Sequence, residues 1–530
     1  MRRTGGTALL TLSVLLNVTE ASISLAVLPR ADTVLALQAS ALAPFAVFHD
    51  LRWLSVFSAS WPGFALELTA IVVGRGALTA VSVRLAWPTD ATRPVAGTAP
   101  MLARTVSTTA VAVLLLTPST ILLFAMAVVP ISWLFIAAVP LAVGVAVLLS
   151  PLPVVGDSWR RLIPLQVIGW VLLSFLVFTV GALLLAHMPA WACIPVAALA
   201  GVFNAMAWTG TVRSLVLRDP SHLVLPVVPV AVVALALGVI LGSVSGFVHA
   251  RPAPLAGGVR PPDVGSGAQP VLVLNGYGST WGGAPQHPIP GPFAEVRFSY
   301  GGVAADGAPL PYSSAATVRP LGELVRMLSV QVDHLAATSH RRVDLVGESE
   351  GAELAETYVR TDPRAPVDRV VLLSPLVAPA RVDYPLRGPG SGFPARTALE
   401  LLSGAYRSVS PVDLDPGSAF VASLDERSVV GKVLACPAAA LHQFAVLPLA
   451  DATASVPDAQ LGMPYVVVPA FHGGLLHDPA VQRKVAGALE GRLPAGNALL
   501  GLAEHLVTDA SAAWHVPLRD DIGWSCTGVS

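Results

Sequence analysis

The chain has 530 residues, 54% of them hydrophobic and only 12% charged, with a mean hydropathy of +0.67. Soluble domains are about one-quarter charged, so these values exclude a wholly soluble protein and leave a membrane protein or a fusion of membrane and soluble parts. A net charge of -1 gives no electrostatic case for a nucleic-acid partner, and three cysteines are too few for a disulfide framework or a cysteine-based zinc site.

Residues 1–250 read as an all-α polytopic membrane bundle. A span needs about 20 apolar residues. Stretches near 7–28, 60–86, 106–128, 129–151, 163–187, 190–212 and 223–247 fit, giving about seven helices. The second is the weakest, because it holds Glu67, Arg75 and Arg84. The stretch 33–48 is apolar but short, which fits an interfacial or a re-entrant segment. Met1-Arg2-Arg3 resembles a signal-peptide start, but no small-residue cleavage pattern follows, so the first span is read as retained. Glu20, Glu67 and Arg75 are ionisable groups within or near spans, read as lying close to span ends.

Orientation follows from arginine placement. With the N-terminus cytoplasmic, Arg93, Arg104, Arg160, Arg161, Arg213 and Arg218 fall in internal loops. The external turns near 129 and 188 carry no Arg or Lys. Arg30 and Arg52 break the pattern. Seven spans then put the remainder of the chain outside.

Residues 251–269 are rich in Pro and Gly and read as a linker. From 270 to 495 short apolar runs alternate with amphipathic segments, the βαβ signature of a mostly parallel sheet with flanking helices; residues 496–530 form a tail. Strands are expected at "VLVLNGYG" (271–278), "AEVRFSY" (294–300), "RRVDLVGESEG" (341–351), "VDRVVLLSPL" (367–376), "FAVLPLAD" (444–451) and "PYVVVPAFHGG" (464–474), with a helix at 321–337.

The third strand ends in Gly347-Glu348-Ser349-Glu350-Gly351, which fits G-x-S-x-G at a strand–helix junction. A sharp turn there projects a serine hydroxyl above the sheet, and glycines two positions either side avoid collision with neighbouring backbone. A serine hydroxyl needs a base, and the base needs an orienting carboxylate. Asp451 and His472 follow the next strands, at the carboxyl ends where open parallel sheets gather ligands. His477 is a competing base, read instead as a solvated or capping residue beside Asp478-Pro479. Asp413, Asp415, Asp425 and Asp458 do not directly follow an apolar strand. An oxyanion needs donors: the N–H of Glu350, and Gly276 or Tyr277 in the turn Asn275-Gly276-Tyr277-Gly278.

Taken together, "VLVLNGYGS", "VDLVGESEGAEL", "VVLLSPL", Asp451 and "FHGGLLHDPAV" make residues 270–495 resemble the α/β-hydrolase superfamily, in its lipase and esterase branch. The resemblance implies a Ser-His-Asp triad, an acyl-enzyme, and neither cofactor nor metal. Asn275 stands where many lipases have histidine, and glutamates flank the serine where many have His or Gln.

The leading expectation is a membrane-anchored serine esterase, with the bilayer as partner and a hydrophobic or lipid ester as substrate. An envelope acyltransferase and a non-enzymatic transporter or scaffold remain alternatives. Glu350 is expected to turn its side chain to the surface, where the helix dipole favours it, and Glu348 to face solvent or select substrate. Cys436 and Cys526 fall in the external part, where an oxidising compartment would permit a disulfide; two unpaired thiols are the alternative. Cys193 is read as packing. Residues 376–435 are long for a loop and would form a lid.

Overall fold

The computed structural model describes residues 4–27, 38–92, 94–129, 131–156, 162–186, 188–217, 224–226, 268–283, 289–376, 382, 388–406, 417–424, 442–449, 451, 463–511 and 513–517. The expected disulfide pair, Cys436 and Cys526, lies outside these residues, as do residues 227–247 of the seventh expected span.

The first half is helical. Its helices are α1 (Thr4–Val27), α2 (Ala43–Phe57), α3 (Trp61–Ala86), α4 (Thr98–Val128), α5 (Ser132–Leu149), α6 (Leu165–Ala186) and α7 (Cys193–Val216). Five of them, α1, α3, α4, α6 and α7, are long and apolar enough to cross a membrane. α5 has 18 residues and α2 only 15. Small residues allow close approach: a Cβ at Gly201 of α7 would sit 2.7 Å from the Val14 Cα of α1.

α2 answers the question left by the short apolar stretch. The turn before it lies among the middles of three long helices. The Ser40 N–H donates to Asn17 Oδ1 (2.9 Å), the Leu42 N–H to Ser174 Oγ (3.4 Å) and the Trp208 indole N–H to the Ser40 carbonyl (3.2 Å). α2 thus begins within the bundle, among the residues of these three helices. Its polar residues are paired there, as an apolar medium demands. Arg75 makes a two-pronged bond to Asp50 (2.6 Å each), and Glu20 meets His49 at 2.8 Å. Glu67, by contrast, is exposed.

The second half is built on a six-stranded sheet with all neighbours parallel, in the order β4-β3-β5-β6-β7-β8. The strands are β3 (Gln269–Leu274), β4 (Phe293–Arg297), β5 (Val343–Glu348), β6 (Val367–Leu373), β7 (His442–Pro448) and β8 (Tyr465–Val468). β1 (Leu162–Pro164) and β2 (Val224–Pro226) form a separate antiparallel pair beside the bundle. Near-continuous apolar strands reflect burial on both faces. Helix α8 (Leu321–Ser339) covers one face with Leu321, Leu324, Leu328, Val332 and Leu335, and α9 (Glu350–Thr361) packs beside it. On the other face, α12 (Pro479–Leu489) buries Val481, Val485 and Leu489; Asp478 caps its start through the Ala480 and Val481 N–H groups. Of the expected lid, α10 (Phe393–Tyr406) and α11 (Ala419–Ser423) are described.

The two halves meet at one end of the bundle. Gly390 and Gly392 donate to the carbonyls of Ala59 and Ser58. After the last helix, α13 (Ala498–Ser511), the chain drives Trp514 between α2 and α6. Its ring lies 4.6 Å from that of Phe178 and 4.9 Å from that of Phe175, and its indole N–H donates to Thr179 Oγ1 (3.1 Å). Arg52, fully buried, donates to the carbonyls on either side of that tryptophan, Ala513 and His515. Arg104 and Arg213 lie at the opposite end, beside Val154 and Asp90.

Candidate active site

Topology concentrates chemistry at one sheet edge. The chain passes from β3 outward to β4, then returns to place β5 on the other side of β3. This reversal is the switch point at which open parallel sheets form a crevice. Because Leu274 is paired with Gly347, the turns that follow β3 and β5 emerge side by side. β6, β7 and β8 end at the same edge.

After β5 the backbone turns sharply. Ser349 has φ 54° and ψ -116°, a conformation costly for any residue with a Cβ. It is held by hydrogen bonds on both sides: its N–H donates to the Leu373 carbonyl (2.8 Å), and its carbonyl accepts from Ala352 (2.8 Å). The flanking glycines are sterically required. A Cβ at Gly351 would lie 2.5 Å from the Leu274 carbonyl oxygen, and one at Gly347 would overlap the Gly351 carbonyl.

The hydroxyl projected by this turn meets a histidine from 123 residues downstream. Ser349 Oγ lies 2.8 Å from His472 Nε2, and His472 Nδ1 lies 2.8 Å from Asp451 Oδ2. His472 follows β8 and Asp451 follows β7; both are buried. His477, the alternative base, is exposed in the short turn before α12. Burial works against the charged form of His472. The Asp451 carboxylate outweighs that penalty, with Glu348 adding to it, so the imidazole pKa lies above its ordinary value of 6.5.

The turn after β3 stands over the same hydroxyl. A Cβ at Gly276 would be 3.1 Å from Ser349 Cβ and 3.7 Å from its Oγ, so only glycine leaves this approach open. The turn is braced by Tyr300, whose hydroxyl donates to the Asn275 carbonyl (2.5 Å), and by Thr317, whose Oγ1 accepts from Gly278 (2.9 Å). The Tyr277 ring packs 5.6 Å from that of Phe420 in α11. Glu350 is the first residue of α9, so no carbonyl within that helix accepts its N–H.

The two glutamates beside the serine differ from expectation. Glu350 does not face the surface: it is completely buried, with Tyr300, which follows β4, as its polar neighbour. Burial pushes its carboxyl well above the usual range, against a smaller opposing pull from Tyr300. Glu348 does not face solvent. It is buried, and its Oε1 accepts the Leu475 N–H, tying the histidine loop to the serine turn.

Sequence reading missed several groups. Glu353, one turn into α9, accepts the Leu376 N–H and fixes the chain after β6. Ser374, with φ 47°, is a second strained residue at the same edge. Ser132 is the most distant: it belongs to the helical half, yet it bonds both Asp451 and His472. Nothing local in "PISW" signals it. Among the described residues, no cluster of three or more His, Cys, Asp or Glu is placed to hold a metal ion.

No family model and no curated protein matches the chain. Among solved structures it is similar to "RedJ with PEG molecule bound in the active site", at 15% identity, covering 46% of this chain and 98% of that one with a TM-score of 0.28. It is also similar to Aspergillus fumigatus lipase B, at 16% identity, covering 54% of this chain and 81% of that one with a TM-score of 0.25. Likenesses this faint carry no argument. The sheet order and parallel pairing are, in themselves, compatible with an α/β hydrolase.

Proposed function

We propose that the protein is a membrane-embedded serine hydrolase that cleaves a hydrophobic or lipid ester. The observation that carries this reading is the pair of 2.8 Å contacts linking Ser349 Oγ, His472 and Asp451 at the carboxyl edge of a parallel sheet.

Ser349 Oγ attacks the ester carbonyl while His472 Nε2 takes its proton. Asp451 holds the ring with Nδ1–H turned toward the carboxylate and stabilises the imidazolium that forms. The carbonyl oxygen becomes an oxyanion and is met by backbone N–H groups, that of Glu350 and one from Gly276 or Tyr277. Such donors are worth about 10²–10³ in rate. As the tetrahedral adduct collapses, His472 returns the proton to the leaving alkoxide and the C–O bond breaks, leaving an acyl group on Ser349. Water, deprotonated by His472, then releases the acid and restores the serine.

The same reading puts the site on the extracytoplasmic side. The α/β half docks on the end of the bundle remote from Arg104 and Arg213, and arginine-rich ends face the cytoplasm. Exposed Leu499, Leu502 and Leu506 on one face of α13, which packs on α6, favour an apolar substrate arriving at the bilayer surface.

The test is hydrolysis of p-nitrophenyl esters of graded acyl length by the full chain in detergent. Wild type should turn over, and Ser349→Ala and His472→Ala should each lose about 10³-fold or more. Unchanged turnover in Ser349→Ala would rule the proposal out.

A further inference from the structure

The membrane half does more than lie near the site. The turn between α4 and α5 carries Val129 and Ser132, and Val129 packs against both the bundle's core and the core of the α/β half. Ser132 is fully buried at the first position of α5. Its backbone N–H donates to Asp451 Oδ1 (3.1 Å), and its Oγ accepts the backbone N–H of His472 (3.0 Å).

These two bonds complete the site's geometry. With Oδ2 on His472 Nδ1 and Oδ1 on Ser132 N, both Asp451 oxygens are committed and the carboxylate plane is fixed. The second bond anchors the histidine's own backbone, which otherwise rests on a loop containing Gly473 and Gly474, both at positive φ. The donor is also one of the unsatisfied amides at a helix start, where the helix dipole favours a negative charge.

We propose that Ser132 is a positioning residue for the hydrolase site, so that the site is complete only while the membrane bundle is docked on the α/β half. This rests on the hydrolase reading above. On this account the bundle is part of the catalytic apparatus, not merely an anchor, and esterase activity reports the docked state.

The two bonds separate by substitution. Ser132→Ala removes only the hydroxyl and leaves the His472 N–H buried without its acceptor. Ser132→Pro also removes the N–H, and proline is well tolerated at the first helical position. Ile131 already has φ -136° and ψ 120°, the conformation that a residue before proline adopts. Ser132→Thr keeps both groups.

The experiment uses full-length protein in nanodiscs, with active sites titrated by a fluorophosphonate and p-nitrophenyl butyrate as substrate. Per titrated site, Ser132→Ala should lower kcat several-fold with KM little changed. Ser132→Pro should lower it about tenfold or more, in line with loss of a bond to a charged group. Ser132→Pro should also move the acid limb of the pH profile upward, because more of the Asp451 charge is left to the imidazolium; Ser132→Thr should sit near wild type. A misfolded fraction would reduce titrated sites without moving the limb. Wild-type kcat in Ser132→Ala, or a wild-type acid limb in Ser132→Pro, overturns the proposal. A wild type that neither labels nor turns over would instead defeat the hydrolase reading beneath it.

Discussion

Replacing Trp514 by alanine should uncouple the C-terminal segment from the bundle. The ring is 2% exposed and surrounded by four phenylalanines, Phe45, Phe48, Phe175 and Phe178, at centroid distances of 6.1, 5.3, 4.9 and 4.6 Å. Truncating a buried aromatic side chain to alanine costs about 3–5 kcal/mol. That is a shift of roughly 10²- to 10³-fold or more toward the undocked tail at 1.4 kcal/mol per tenfold. The Arg75–Asp50 and Glu20–His49 pairs and the Asn17, Ser174 and Trp208 bonds do not involve the tail, so the helix bundle itself should stay folded. Amide hydrogen exchange over residues 498–517, in detergent, reads the effect directly. Protection should fall by at least 10²-fold there while β5, β6 and α9 keep theirs. Trp514→Phe, which keeps the ring contacts but not the bond to Thr179, should lose far less. Exchange within twofold of wild type in the alanine variant would mean that the tryptophan does not hold the halves together.

Three further outcomes follow from buried groups. Glu348→Gln keeps an acceptor for the Leu475 N–H but removes a charge that raises the His472 pKa. The acid limb of kcat/KM, which requires neutral His472, should therefore move to lower pH; an unmoved limb counts against the assignment. Burial, with Asp368 nearby, lifts the Asp344 carboxyl from 3.8 to about 7. A raised carboxyl favours the folded state fully below the unfolded value and loses that contribution as pH climbs through the folded one. Wild type should thus lose on the order of 4 kcal/mol between about pH 4 and pH 7. Asp344→Asn should remove that slope, as measured by thermal unfolding across the same range; equal slopes would refute it. Gly351→Ala should lower the melting midpoint of the α/β half by about 2–10 °C, since its Cβ would meet β3 backbone that cannot yield. An unchanged midpoint would show that the strand gives way.

The sequence exposed the parts of the site that depend on neighbours in the chain. A β-branched run ending in Gly347 and a helix opening at Glu350 sufficed to place Ser349 on a strand–helix turn. Asp451 and His472 could be singled out because each follows a strand in the expected order. What stayed hidden depends on distant partners. The direction of Glu350 was misjudged because the helix dipole was weighed without Tyr300, which arrives from beyond β4. The Glu348 bond to Leu475 spans 127 residues. Ser132 is 340 residues from His472, and no local pattern connects a bundle turn to a sheet edge. The burial of the turn before α2 was only half legible. The length of the apolar stretch argued against a span, but the Asn17, Ser174 and Trp208 bonds that fix its depth come from three separate helices.

The central claim is that Ser349 is an activated nucleophile. Its most direct test is reaction of the folded, full-length protein with a fluorophosphonate, read by peptide mass. The account predicts a covalent adduct on Ser349 that forms in wild type, slows by orders of magnitude in His472→Ala, and vanishes on denaturation. An adduct absent from folded wild-type protein, or found on a serine other than Ser349, would contradict it.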